Sequence, residues 1–407
     1  MTLQINIGRF LHIEKRILAF QLFYVGILIA FLGSLNPWFM WKLSHYYVYI
    51  ATLFITLAWL LSRSVSKHLF TRTDYKYPLL AFFVILVYQA VVNELNIKGY
   101  ITIFVNCAIV LSLLSLRYEL LTKLARWLAV TMGCILAVSI PYYMLFLLGY
   151  DLPNVSLENE ELGYSYFNYF FFLLDNRFTA IIIPRFSSVF LEPGHLGSVC
   201  VYLLATQIGR WKKWYCILLM TAIVLSFSLA AYIFMIIMAF MSMWIRGKRI
   251  VVSLTIFIAL LVTGGVYAYF YNNGNNMVNE LILSRLEVDE DGKLVGDNRV
   301  TEEFQDEFDD FLESDDILFG RKYENEKYGW GNSGFRVFTY DNGFVGVMLV
   351  IVFYLLAIHR SRNLKAKISM FLFACVAFYV RATPMMYYFL IPMYLFAYLD
   401  LKQIRKQ

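Results

Sequence analysis

Charge is scarce in this chain. Across 407 residues only 16% are Asp, Glu, Lys or Arg, against 60% hydrophobic and 18% aromatic. That is too little polar surface to coat a soluble globule of this length, so the soluble enzyme classes are excluded at the outset. Histidine is sparse too, with five scattered at His12, His45, His68, His195 and His359. Neither H-E-x-x-H nor G-x-x-x-x-G-K-[ST] occurs, so a zinc or P-loop enzyme is not expected. A literal G-x-G-x-x-G runs from Gly329 to Gly334. It follows an acidic loop instead of a strand, which argues against dinucleotide binding. The five cysteines, Cys107, Cys134, Cys200, Cys216 and Cys375, all fall in apolar runs. Disulfides and a cysteine metal site are therefore not expected, and no cofactor is called for. No basic stripe with interleaved aromatics marks a soluble segment, so the net charge of +6 does not point to nucleic acid. A small-residue cleavage site is missing after the first apolar run, and a cleavable signal is not expected.

Apolar sequence is what the chain has in quantity. Crossing roughly 30 Å of hydrocarbon takes about 17–25 residues. Twelve such windows are expected, at 16–34, 46–62, 77–94, 99–116, 127–150, 193–209, 214–227, 229–245, 250–271, 337–358, 366–380 and 383–399. Lys213 to Arg246 also reads as one bent block, but a hairpin suits the charges better. With an even number of spans, 23 of the 35 Lys and Arg sit in short segments on one face, together with both termini. By the positive-inside rule that face is cytoplasmic. The expected fold class is an all-α polytopic membrane protein, a single transmembrane domain over 1–407 with the lipid bilayer as its medium.

Two sizeable loops fall on the outer face, at 151–187 and 272–336. The first carries Y-S-Y-F-N-Y-F-F-F from Tyr164 to Phe172, which suits a segment lying in the membrane interface or a stacking surface for sugar rings. The second is acidic: between Asn272 and Phe335 lie 17 of the 29 Asp and Glu against six Lys and Arg. Within it, Phe304, Phe308, Phe311 and Leu312 share one face of an amphipathic helix expected near 301–312, over the outer mouth of the bundle. Leu318, Phe319 and Gly320 follow. Asp341 and Asn342 come early in the tenth span, with Gly343 and Gly346 behind them. Gln89, Asn93 and Glu94, at the outer end of the third span, read as helix caps or cavity lining. Ser226 and Ser228 in L-S-F-S-L-A-A-Y have no His or acid beside them in sequence and are not read as nucleophiles.

The densest polar cluster in an apolar setting is I-P-R-F-S-S-V-F-L-E-P-G-H-L-G, from Ile183 to Gly197. Charge at a membrane boundary is costly without work or a partner. The proline after Glu192 predicts a helix starting at Pro193. Its unpaired backbone N–H groups and positive dipole end, with Arg185 upstream, favour an anion such as phosphate. Arg285, Arg299, Arg336 and Arg381 are the further cations of the outer face, each open to either a phosphate or a nearby acid. Glu192 and His195 are both candidate general bases; as alternatives, Glu192 caps the helix and His195 bonds a neighbouring helix.

These motifs resemble the bacterial O-antigen polymerase and ligase superfamily. The resemblance lies in R-F-S-S-V-F-x-E-P running into a helix, L-S-F-S-L-A-A-Y, a large outer loop ending in G-x-G-N-S-G, and G-F-V-G at Gly343 to Gly346. It covers most of the chain in layout. It implies a membrane glycosyltransferase (GT-C-like) architecture in the bacterial cytoplasmic membrane and metal-independent transfer of an undecaprenyl-diphosphate-linked oligosaccharide. A chain-length regulator is implied as a further partner. Arg185 would engage the diphosphate, assisted by Arg285, Arg299 or Arg336. The ligase branch has a His-Asn pair before the span that follows the large loop. N-S-G-F-R-V-F-T-Y-D-N-G lacks that His, which favours a polysaccharide polymerase over a ligase. A lipid-linked glycan flippase or transporter is the alternative from another class. It predicts internal repeats and charges spread through the membrane, whereas the charges here gather on one face.

Overall fold

The computed structural model describes residues 7–64, 68–70, 76–92, 97–159, 163–176, 183–246, 259, 262–263, 266, 270–271, 300–328, 332, 334–380, 382 and 388–399. Helix dominates. The chain opens with α1 (Ile7–Gly33), α2 (Tyr47–Arg63), α3 (Lys76–Val92), α4 (Ile97–Ser115) and α5 (Tyr118–Leu147). There follow α6 (Pro193–Thr206), α7 (Trp214–Leu225), α8 (Leu229–Arg246), α9 (Glu302–Leu312), α10 (Phe335–Ala357), α11 (Leu364–Val380) and α12 (Ile391–Phe396). Among the described residues, five helical segments are long and apolar enough to cross a membrane: Glu14–Gly33, Trp38–Arg63, Tyr118–Leu147, Leu229–Arg246 and Phe335–Ala357. Lys76–Val91, Gly99–Ser115 and Trp214–Leu225 are apolar but shorter. The expected window 250–271 lies, apart from six residues, outside the described residues.

At the centre stands α6, in which every residue from Leu196 to Thr206 is buried. A helix that is apolar all round has no face to give to water, so it ends up enclosed. It is packed by α5, α7, α8 and α12. Gly197 permits a close approach of α7 and α8, because a Cβ there would lie 2.7 Å from Ser226 Oγ and 2.8 Å from Ala231 Cβ. Around this centre α1 pairs with α2, α3 packs on α10, and α8 on α11. The block from Lys213 to Arg246 is two helices, as the charges suggested, interrupted where Phe227 takes φ 43°.

The all-α expectation needs one correction. The first outer loop folds as a three-stranded antiparallel sheet, β1 (Val155–Asn159), β2 (Tyr164–Asn168) and β3 (Leu173–Asp175) in that order. Its register sets Val155 opposite Asn168 and Tyr166 opposite Asp175. Period-two alternation in Y-S-Y-F-N drives this, burying Tyr166 and Asn168 while Ser165 and Phe167 stay half-buried. Tyr166 packs with Leu173 and Leu191 against Trp38 and Trp41. The rest of the aromatic run is a turn, with Phe170 at φ 65° and its N–H bonded to Asn168 Oδ1 at 2.8 Å. Asn is suited to accept a bond from the backbone two residues on, and so shapes the turn. Phe171 and Phe172 then meet Tyr142 and Tyr143 of α5 at 5.1 and 5.4 Å between ring centres, seating the sheet on the end of that helix.

The acidic loop holds the expected amphipathic helix. Thr301 caps α9 by accepting Phe304 N–H at 3.3 Å, and Phe304, Phe308 and Phe311 are buried. Leu312 departs from the expected face and is exposed. The three rings pack with Tyr328 and Tyr340, bordered by Tyr323, Phe335 and Val337. Asn332 of the G-W-G-N-S-G stretch serves this small core, accepting Thr301 N–H at 2.6 Å and donating to Tyr328 O at 2.7 Å.

Candidate functional site

The segment 184–192 is the seam of the molecule. Tyr143 of α5 donates its hydroxyl to Pro184 O. Phe186 N donates to Leu225 O at 3.0 Å, and Arg185 Nε to Ser226 O at 3.1 Å. Both accepting carbonyls belong to the end of α7, where intrahelical donors have run out and the dipole is negative. Ser187 Oγ and Ser188 O bond the backbone of Leu173 in β3, and Ser188 Oγ donates to Ser139 of α5 at 2.7 Å. Trp38 N reaches Val189 O at 3.1 Å, and Pro37 forms an isolated bridge with Phe190. This single stretch, turning at Ser188, thus ties α5, α7, the sheet and the α1–α2 connection together.

From this seam the chain turns into α6 at Pro193, as the sequence predicts. Glu192 is extended at φ −123°, ψ 129°, and its carbonyl accepts Leu196 N–H at 3.1 Å. Its carboxylate does not cap the helix. Instead Oε2 stands 3.6 Å from His195 Nδ1, with the side chains 44% and 20% exposed respectively, so the pair borders an accessible surface. The His195 ring lies 5.1 Å from that of Phe389, in the turn before α12. Ser226 is the common neighbour: its carbonyl receives Arg185, and its side chain lies against Gly197 in the first turns of α6. Arg185 and the α6 N-terminus, with its Glu–His pair, are thereby placed on the same end of α7.

Arg336 lies on the first turn of α10, its guanidinium 5.3 Å from the centre of the Phe335 ring, which in turn stacks on Tyr379 of α11 at 4.7 Å. Arg285, Arg299 and Arg381 lie outside the described residues, as do Asn93 and Glu94. Among the described residues no group of three His, Cys, Asp or Glu is placed to hold a metal ion.

A second polar cluster escaped the sequence reading. Glu307 accepts from Tyr340 Oη at 3.1 Å and Arg321 Nη1 at 3.2 Å, and Lys327 Nζ stands 3.6 Å away. Partial burial raises the carboxyl pKa, but the Tyr340 and Tyr328 hydroxyls and the Lys327 and Arg321 charges together outweigh it and hold Glu307 below the ordinary range. Its position gave a signal: three residues after Phe304 and four before Phe311, it is the acid on the inner flank of α9. A depressed pKa means that this tie is fully present above the ordinary carboxylate range and is lost as pH falls through the folded value. Glu307→Gln should therefore speed amide hydrogen exchange across 302–312 relative to the parent at pH 7, and the difference should vanish as pH falls through the folded carboxyl's own value. A difference that persists in acid would mean that Glu307 charge is not what holds the helix.

No protein-family model, no curated protein and no solved structure matches this chain.

Proposed function

We propose that this chain is a polysaccharide polymerase of the cytoplasmic membrane, with about twelve spans, a GT-C-like architecture and the Arg185–Glu192–His195 cluster on the outer face. The observation that carries the reading is the joint placement of Arg185 and the α6 N-terminus against Ser226, with Glu192 and His195 paired beside them. In this reaction the donor is an undecaprenyl-diphosphate-linked glycan and the acceptor a second lipid-linked repeat unit. A sugar hydroxyl of the acceptor attacks the donor's anomeric carbon as the bond to the diphosphate breaks. Negative charge grows on the leaving oxygens, where Arg185 and the α6 dipole stabilise it. The hydroxyl proton passes to Glu192 or His195; their 3.6 Å contact lets either act as base with the other orienting it. The absence of a His from N-S-G-F-R-V-F-T-Y-D-N-G continues to weigh against a ligase.

One observation favours a flippase or transporter instead: α10 is broken at Gly343, and interrupted helices line translocation paths in many carriers. That break, however, receives the 315–320 turn of the acidic loop. Purified protein in liposomes given a polyprenyl-diphosphate-linked repeat unit on the face of the acidic loop separates the two. Polymerisation lengthens the glycan on its lipid; translocation carries it across unchanged. Single-unit product throughout would sink the polymerase.

A further inference from the structure

The break in α10 is a built feature. Gly343 sits at φ 61°, ψ −178°, and Gly320 at φ 87°, the two glycines facing each other. A side chain on Gly343 would strike the Leu318 carbonyl, and a Cβ on Gly320 would lie 2.6 Å from Gly343 N. Only glycine at both positions lets the backbone of the 315–320 turn seat in the interrupted helix. The Tyr88 hydroxyl of α3 clamps the joint, lying 2.6 Å from Asn342 O and 2.8 Å from Phe319 O. Arg321 N donates to Tyr340 O at 2.6 Å, taking up a carbonyl next to the break.

This seating leaves two large apolar side chains outside. Leu318 is 53% exposed and Phe319 61%. Their neighbours are continuous with them in character. Leu80, Phe83, Val84, Val87 and Val91 are exposed along one face of α3, spaced at helical intervals on either side of Tyr88. Phe344, Met348, Val352 and Leu355 do the same along α10 from the break onward. α10 is long and apolar enough to span a membrane, so its stripe faces lipid, and α3, apolar but shorter, packs alongside it. Immediately before the pair stand Asp315 and Asp316, exposed and acidic, which marks the level where water begins.

We propose that Leu318 and Phe319 are a membrane anchor of the acidic loop, dipping into the outer lipid boundary beside α3 and α10 while Asp315 and Asp316 stay in water. The occupant is bilayer lipid, because the pair extends the apolar stripes of two helices instead of forming an isolated patch. Its consequence is that the acidic loop is held at a fixed height over the bundle, pinned at one point by backbone and at the same point by lipid. The inference rests on membrane embedding alone and stands apart from the glycan reading.

The test uses the full-length protein in nanodiscs, with an environment-sensitive fluorophore on Phe319→Cys, on Leu318→Cys or on Glu313→Cys at the exposed end of α9. Labelled parent protein supplies the background from native cysteines. At positions 318 and 319 the anchor predicts several-fold stronger quenching by acyl-brominated lipid than at 313, and the opposite order for aqueous iodide. Two Cys variants at the tip guard against one that folds poorly. Iodide quenching at 318 and 319 equal to that at 313 would place the tip in water and overturn the anchor. Resistance to both quenchers would overturn it too, showing a second copy or another protein over the tip.

Discussion

Arg185→Ala should abolish long polymer in cells while the protein still accumulates in the membrane. Two roles meet in this side chain. As a cap, its Nε supplies one charge-assisted bond to Ser226 O at the end of α7, worth about 1.5–3 kcal/mol. As a diphosphate ligand it would act on charge that develops only in the transition state, where loss of one such donor costs about 10²–10³ in rate. The two roles have separate readouts. Loss of the cap alone lowers melting temperature and protein level together with product. Loss of the ligand removes long chains at unchanged protein level. Arg185→Lys keeps the positive charge but not the planar fork, so it should restore melting more fully than polymer length. Long polymer from Arg185→Ala at normal protein levels would remove Arg185 from the site.

The second large effect is expected at Gly343. Its φ and ψ lie in a region essentially confined to glycine, where any other residue costs about 1–3 kcal/mol. A methyl group there also meets the Leu318 carbonyl, so the turn must leave the break or the helix must shift. Gly343→Ala should lower the melting temperature in detergent and raise hydrogen exchange across 315–322. Gly149→Ala is the control: Gly149 has φ 83° but open space where a Cβ would be, so it suffers the backbone strain without the collision. Equal destabilisation in the two variants, or unchanged exchange in 315–322, would mean that the break does not depend on that contact.

Much of the local structure was legible from residues alone. Pro193 after Glu192 set the start of α6, because proline both favours the first helical position and pushes its predecessor into extended geometry. The phenylalanines at three- and four-residue intervals placed α9 to within a residue, and the structure adds the Thr301 cap. The apolar windows foretold helices because a backbone without water must satisfy itself. The sheet in the first outer loop was missed for a related reason. Its alternating strand is only five residues long and runs straight into an aromatic turn, so the period-two signal is brief.

Residue types and short-range periodicity thus determined, by themselves, an apolar helical chain, the entry into α6 and the inner face of α9. Only the tertiary structure decided what those pieces meet. Arg185 finds Ser226, 41 residues on, and the ring of His195 lies beside that of Phe389. Tyr88 closes on Asn342, 254 residues away, at a break that Gly343 permits but does not announce. Propensity and pattern act over one or two turns of chain, whereas these partners are chosen by how buried helices pack and which carbonyls their ends leave unpaired.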